Sequence, residues 1–475
     1  MSFQKTWQLR AEFARQLSEM YGTEVPAYTT LVEVSEAVNS DFLAREGGDA
    51  ERLGSIDRVT AERHGAIRVG SPEEMSQVAT VFAAFGMYPV GFYDLRDASA
   101  SSVPVVSTAF RPLEAEELAR NPFRVFTSML ATDDPRFFSG EQQDRLRNFL
   151  GHRTLFPAEL LTLAEQAAEQ QGLPSADAPR LLELATAAFE LSSEPVDHAW
   201  YRELEEVSAV AADIGGVSST HINHLTPRVL DIDDLYNRME ELGVTMIDEV
   251  QGPPAWQGPD VLLRQTSFRA LSEERVFRFE DGTVGPGSLQ VRFGEVEQRG
   301  IALTPAGREL YDHMVAETDR RLHNGGGVRT DVARGVWEEN LPDTEAGLLD
   351  RGLAYFTFEV SPTGKPSPEL AASCALSELL ADGTVTATPV VYEDFLPRSA
   401  AGIFQSNLTG AGTKDSAQAG TEYDLDKLSE IIGRPIADPF DLYQRQVDES
   451  VARLEETLNI TIINNIFNKE NVNHV

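Results

Sequence analysis

Two histidines and one glutamate, far apart in the chain, are of the types that could share one metal ion. His64 lies in the segment ERHGAIRVG, His224 in THINHLTPR and Glu295 in RFGEVEQRG. Two imidazoles and one carboxylate on one face of an octahedral ion leave three adjacent positions open. Non-haem Fe(II) oxygenases use this arrangement to bind a chelating substrate together with O₂. The chemistry requires the three segments to meet in space.

Similar stretches follow the two histidines, which suggests a duplicated unit. Each histidine lies at the start of a strand-like segment. This segment is followed by a helical segment, a glycine and further strand-like segments. Gly86 and Gly243 are of the type that ends helices. The strand-like pieces are 87–95 and 103–110 in the first copy and 244–250, 261–270 and 289–298 in the second. The pattern predicts two βαβββ modules, and their pairing by pseudo-symmetry would bring His64 and His224 to one cavity.

Two neighbours compete with these candidate ligands. On an extended strand His221 and His224 would point to opposite faces, since side chains alternate with a period of two, so only one of them could reach a given metal. Glu295 and Glu297 would share a face, so alternation cannot separate them. The spacing alone therefore leaves the glutamate ligand open.

Arg68 is a candidate for binding an anionic substrate. It follows His64 by four residues, so on a strand it shares the face of His64 at roughly 13 Å. Its planar guanidinium can pair with a carboxylate through two hydrogen bonds. The alternative is a structural salt bridge, which is common for a strand arginine. Gln265 and Arg264, on a strand of the second module, are weaker candidates for the same pocket.

The predicted fold class is α+β, and the chain is expected to form a single catalytic unit. A β core of two βαβββ modules would enclose the metal site. The predicted parts are N-terminal helices over 1–58, the first module over 59–111, a helical insertion over 112–214, the second module over 215–320 and a C-terminal α/β cover over 321–475.

The composition excludes several classes of partner. The 475 residues carry a formal net charge of −36, which argues against nucleic acid and anionic membranes, because both require basic patches. No run of about 18 apolar residues suggests a membrane span. The N-terminus lacks the apolar core of a signal peptide. The single cysteine, Cys374, rules out an internal disulfide and fits a reducing, cytoplasmic location.

Longer motifs add a family resemblance. The segment NHLTPRVLDID from Asn223 looks like the start of a vicinal oxygen chelate module, and FGEVEQR from Phe293 is similar to the last-strand motif of the 4-hydroxyphenylpyruvate dioxygenases. From about Val59 to Phe404 the chain resembles the 2-oxoadipate dioxygenase/decarboxylases, also called hydroxyglutarate synthases. The resemblance implies Fe(II) (Fe²⁺) as cofactor, with His64, His224 and Glu295 as its ligands.

The same resemblance implies the substrate contacts. It places a substrate-binding arginine at Arg68 and a substrate contact at Ser399. Family members usually carry a small apolar residue where this chain has Arg398, so an additional cation could lie at the mouth of the pocket or point into solvent. This departure leaves the identity of the 2-oxo acid partly open.

The implied reaction converts 2-oxoadipate and O₂ to (R)-2-hydroxyglutarate and CO₂, a step of lysine catabolism. The partners would be a small 2-oxo acid and O₂, and the sequence leaves the oligomeric state open. Two alternatives remain: a dioxygenase of another 2-oxo acid, and a metal-dependent isomerase or lyase on the same core. Consumption of O₂ on addition of substrate distinguishes the dioxygenases from the isomerase or lyase.

Overall fold

The computed structural model describes residues 2–47, 51–97, 103–270, 272–289, 292–362, 373–396, 414–415 and 418–463. The strands are β1 Phe3–Lys5, β2 Arg63–Val69, β3 Tyr88–Asp94, β4 Val105–Arg111, β5 Arg124–Leu130, β6 Gly172–Pro174, β7 Val196–Asp197, β8 His224–Pro227, β9 Leu263–Ser267, β10 Glu273–Arg278, β11 Val284–Leu289, β12 Glu295–Arg299, β13 Phe356–Val360, β14 Ser373–Ala375, β15 Val385–Pro389 and β16 Thr461–Ile463.

Helices surround these strands, and among the described residues each is too short or too polar to span a bilayer. They are Thr6–Glu24, Pro26–Glu46, Ile56–Ala61, Pro72–Ala83, Ala115–Arg120, Gly140–His152, Ala158–Gln170, Ala178–Ala187, His198–Val207, Ala209–Gly215, Ile232–Glu241, Pro305–Gly325, Arg329–Asn340, Glu345–Asp350, Leu376–Ala381, Leu425–Ile432 and Pro439–Leu458.

The main sheet has the order β3-β4-β5-β2-β8 within the described chain. β2 and β5 are parallel, and the other neighbouring pairs are antiparallel. Together with the helix Pro72–Ala83, strands β2 to β5 form a βαβββ module. All residues of β2 except Arg63 are buried, so both faces of this strand are covered. β2 therefore lies at the centre of the structure.

The second module begins with β8 and the helix Ile232–Glu241. Its strands β9 and β12 pair antiparallel, and a bridge between Arg228 and Glu297 places β12 beside the extension of β8. A hairpin of β10 and β11 is inserted between β9 and β12. The two modules meet where β2 pairs antiparallel with β8. This topology confirms the predicted α+β core of two βαβββ modules.

Equivalent helix ends confirm the glycine prediction. Gly86 and Gly243 follow the first helix of their modules with φ of 65° and 77°, respectively. These are left-handed conformations that glycine adopts without a Cβ penalty. The amide of Gly86 donates to the carbonyl of Ala83, and that of Gly243 donates to the carbonyl of Glu240.

The structure corrects two details of the predicted organisation. Strand β5 belongs to the first module but lies inside the range 112–214, which was predicted as a helical insertion. All seven of its residues are buried, so its sequence RVFTSML lacks the alternation of a half-exposed strand. The strand predicted over 244–250 is reduced to isolated bridges such as Met246 with Phe268.

The N-terminal helix is part of the same hydrophobic core. Phe13 is fully buried, and its ring stacks on Phe85 with centroids 4.3 Å apart and an interplanar angle of 4°. Phe123 and Phe189 approach the same ring at 6.0 Å. The helix Thr6–Glu24 is therefore packed directly against the first module.

We expect Phe13→Ala to lower the free energy of unfolding by about 3–5 kcal/mol, because it leaves a cavity among three aromatic rings. Urea denaturation of the purified protein measures the change. Leu242→Ala is the control, since Leu242 is 60% exposed and its truncation should change stability by about 0.5 kcal/mol or less. Equal stability of the Phe13 variant and the wild type would contradict the packing described here.

Candidate metal centre

The pairing of β2 with β8 places the two histidines on one face of the sheet. In this register Ala66 is opposite His224, and His64 is opposite Thr226. Residues directly opposite each other in neighbouring strands point to the same side. His64 and His224 are therefore diagonal neighbours, and their ring centroids lie 5.4 Å apart.

Glu295 completes a compact cluster with the two histidines. It is the first residue of β12, and one potential ligand atom from each of the three side chains lies within 4.8 Å of the others. Oε2 of Glu295 lies 3.2 Å from Nε2 of His224, and Oε1 lies 3.9 Å from Nε2 of His64. None of the three residues is more than 4% exposed.

The competing glutamate has other partners. Nδ1 of His64 lies 2.9 Å from Oε2 of Glu297, so Glu297 lies behind the imidazole and not beside Glu295. The guanidinium of Arg299 donates to both carboxylate oxygens of Glu297, at 2.8 and 2.9 Å. Among the glutamates, Glu295 is therefore the one that faces both histidine Nε2 atoms.

The competing histidine is also outside the cluster. β8 begins only at His224, so the alternation expected for an extended strand does not extend to His221. Nε2 of His221 lies 3.3 Å from Oδ1 of Asp213. His221 therefore contacts the buried carboxylate of Asp213 and is not part of the cluster.

The electrostatics of the cluster suit the binding of a cation. Burial lowers the pKa of His64 below its usual value and that of His224 well below it, so both imidazoles are neutral and can act as ligands. Burial, assisted by the Glu297 carboxylate, raises the pKa of Glu295 well above its usual range. Burial also opposes the charge of Glu297, but Arg299 and His64 outweigh it and lower its pKa to about 2.

A divalent cation fits this donor set. Two neutral imidazoles and one carboxylate match the preferences of a first-row transition metal for nitrogen and oxygen ligands. A nearby cation would also favour the charged form of Glu295, which burial disfavours. Nε2 of Gln265 donates a hydrogen bond to Oε1 of Glu295 and so orients the carboxylate.

A layer of buried charges lies next to the cluster. Its acidic members share arginines: Glu62 pairs with Arg124 and Arg228, and Glu393 pairs with Arg124 and Arg58. Nη1 of Arg124 also lies 3.6 Å from Glu297. Each carboxylate therefore has at least one arginine partner, as buried charges require.

Arg68 shares the inner face of β2 with His64, as predicted. The residue between them on this face is Ala66, whose small side chain takes little space. Arg68 forms an ion pair with Asp213, and both residues are buried. Its charge contributes to the lowered pKa of His224, after burial and His64. The structure thus shows the salt bridge, one of the two sequence alternatives for Arg68, and substrate binding by this arginine stays a prediction.

The remaining candidates fall in different places. Gln265 contacts Glu295, but Arg264 donates to both oxygens of Asp233, at 2.8 and 3.0 Å, away from the cluster. Arg398 and Ser399 lie outside the described residues.

Two contacts of the centre were not predicted from the sequence. Asp213, the partner of Arg68, lies in the buried helix Ala209–Gly215. A single carboxylate in the apolar sequence AVAADIG was a signal for a buried ion pair. Phe395 was missed as well, although its ring centroid lies 5.0 Å from that of His64. Nothing in the local sequence distinguishes this phenylalanine from an ordinary core residue.

Comparison with known proteins identifies the family of this chain. The family model for 2-oxoadipate dioxygenase/decarboxylase matches residues 13–407. A protein of that name from Mycobacterium bovis is 55% identical over 450 residues, 94% of this chain and 98% of the relative, and one from Pseudomonas putida is 38% identical over 95% and 97%, respectively. The crystal structure of the Pseudomonas putida hydroxyglutarate synthase in complex with 2-oxoadipate superimposes with a TM-score of 0.83 at 36% identity, covering 97% of this chain and 100% of that one. The chain belongs to the 2-oxoadipate dioxygenase/decarboxylase family.

Proposed function

We propose that this protein is an Fe(II)-dependent dioxygenase/decarboxylase that converts 2-oxoadipate and O₂ to (R)-2-hydroxyglutarate and CO₂. The observation that carries the proposal is the buried cluster of His64, His224 and Glu295, in a chain of this family. The names of the relatives, and the 2-oxoadipate bound to the Pseudomonas putida enzyme, support the choice of substrate.

In this proposal His64, His224 and Glu295 would hold the metal ion. Bound Fe(II) would supply adjacent coordination positions for the carboxylate and keto oxygens of the substrate and for O₂. The protein contributes geometry and exclusion of water. The rings of Phe395 and Phe293 lie 5.0 Å from His64 and 5.2 Å from His224, so apolar surface adjoins both histidines.

Arg68 is proposed to bind the distal carboxylate of the 2-oxo acid. Its separation from His64 along β2, roughly 13 Å, suits a six-carbon dicarboxylate chelated at the metal. The residue between them on this face is Ala66, whose small side chain suits a carbon chain that extends from the metal to Arg68. A guanidinium has five N–H donors, so the ion pair with Asp213 is compatible with a second carboxylate.

Ser399 and Arg398 are proposed as further substrate contacts on the family resemblance. The additional cation of Arg398 is proposed to affect which dicarboxylate is preferred.

Removal of any metal ligand should abolish both iron binding and turnover. We expect His64→Ala, His224→Ala and Glu295→Ala to contain little iron after anaerobic reconstitution, as measured by metal analysis. His221→Ala is the matched control, because His221 contacts Asp213 and not the cluster. It should keep its iron and lose less activity. A fully active, iron-replete His224→Ala protein would remove this assignment.

The reaction should consume O₂ and incorporate both of its atoms. With ¹⁸O₂, mass spectrometry should find one label in the new carboxylate and one in the hydroxyl group, unless solvent exchange removes the second. The control is the same assay without O₂, which should give no product. Product formation at an equal rate under anaerobic conditions would favour a metal-dependent isomerase or lyase.

Arg68 should determine the preference for a dicarboxylate. Loss of a buried charged contact costs about 2–5 kcal/mol, so Arg68→Ala should lower kcat/KM for 2-oxoadipate by roughly 30- to several-thousand-fold. The kcat/KM for 2-oxohexanoate should change much less. Arg68→Lys should recover only part of the lost kcat/KM for 2-oxoadipate, because an ammonium group cannot donate two parallel hydrogen bonds to one carboxylate.

Arg264→Ala is the control for Arg68. Arg264 is as buried as Arg68, and its partner Asp233 lies outside the cluster, so the substitution should leave the ratio of the two kcat/KM values unchanged. An Arg68→Ala protein that loses both substrates equally would show that the arginine has a structural role only.

A further inference from the structure

We propose that Glu297 is a positioning residue for His64, whose carboxylate holds the imidazole in the tautomer that directs the Nε2 lone pair at the metal. The inference rests on the proposed metal centre and adds to it the residue that orients one ligand. Glu297 itself contacts no metal in this scheme.

The two ring nitrogens of His64 have different surroundings. Nδ1 lies 2.9 Å from Oε2 of Glu297, whereas Nε2 faces the cluster, 3.9 Å from Oε1 of Glu295. A neutral imidazole has one N–H donor and one lone pair. A carboxylate only accepts hydrogen bonds, so Glu297 fixes the proton on Nδ1 and leaves the lone pair on Nε2.

Glu297 is in turn held in place. Arg299 donates to both of its oxygens, and Nη1 of Arg299 also donates to the carbonyls of Tyr392 and Asp394, at 2.8 and 3.1 Å. Glu297, Arg299 and His64 are at most 2% exposed. The arginine thus prevents the carboxylate from rotating towards the metal and keeps it behind the imidazole.

The second histidine lacks such support in the described part of the chain. Nδ1 of both histidines is buried without a well-aligned hydrogen bond, but that of His64 has a carboxylate oxygen of Glu297 at 2.9 Å. The described carboxylate near His224 is Glu295, which approaches its Nε2 at 3.2 Å, and the ring packs near Phe293. Among the described residues, a carboxylate therefore lies beside the Nδ1 of His64 and not beside that of His224. Removal of the Glu297 carboxylate should consequently change how His64 coordinates the metal.

The experiment compares Glu297→Gln with Asp394→Asn. Asp394 also pairs with an arginine through both oxygens, 2.8 and 3.0 Å from Arg111, and is equally buried, but it contacts neither histidine nor Glu295 among the described residues. Both variants exchange a buried carboxylate for its amide. The affinity of the apoprotein for Co(II) is measured by chelator competition, together with the visible absorption of the bound ion and the melting temperature.

We expect Glu297→Gln to bind Co(II) about 10–100-fold more weakly, with an altered visible spectrum. Asp394→Asn should bind Co(II) as the wild type does, even if its melting temperature falls. Wild-type affinity in Glu297→Gln, or an equal loss of affinity in both variants, would overturn the proposal.

A measurement on the unaltered protein covers the case in which Glu297→Gln does not fold. Imidazole ¹⁵N shifts of the apoprotein, assigned with His64→Ala, should show the Nδ1–H tautomer, and an Nε2–H tautomer would overturn the inference. Co(II) binding needs neither substrate nor O₂. Weakened binding in Glu297→Gln, combined with no turnover of 2-oxoadipate by the wild type, would leave this inference standing and reject the proposed activity.

Discussion

The antiparallel pairing of β2 with β8 is the constraint on which the site depends. In the observed register Ala66 lies opposite His224, so both histidines point into the same interior. A shift of one residue would turn one histidine to the other side of the sheet, because side chains alternate along a strand. The bridge between Arg228 and Glu297 then sets β12 in register with β8, and this brings Glu295 to the histidines.

A metal centre so deeply buried requires the surrounding charges to be balanced. The layer of glutamates and arginines next to the cluster provides this balance within the protein, without help from solvent. Such buried pairs contribute little net stability, but removing one partner typically costs about 3–5 kcal/mol. Their value here is geometric: Arg299 keeps Glu297 behind His64, and Glu295 remains the carboxylate that faces both Nε2 atoms.

The acidic surface makes local capture of an anionic substrate necessary. With a net charge of −36 the protein repels a dicarboxylate at long range, so a cation inside the pocket must compensate. Arg68 is the cation proposed for this role, and an ion pair with Asp213 holds its guanidinium in place. The ion pair also lowers the cost of burying an arginine in the absence of substrate.

The sequence by itself determined the ligand candidates, the duplicated module and the position of Arg68, because these follow from residue type, short-range spacing and helix-ending glycines such as Gly86. From the sequence, β5 was predicted to belong to a helical insertion, because a strand buried on both faces shows no alternation of polar and apolar residues. The sequence could not separate Glu295 from Glu297 by spacing, and it could not find Asp213 as the partner of Arg68. Both depend on contacts between residues far apart in the chain, which only the tertiary structure establishes. The packing of β12 beside β8 selects Glu295, and the packing of the helix Ala209–Gly215 near β2 brings Asp213 to Arg68.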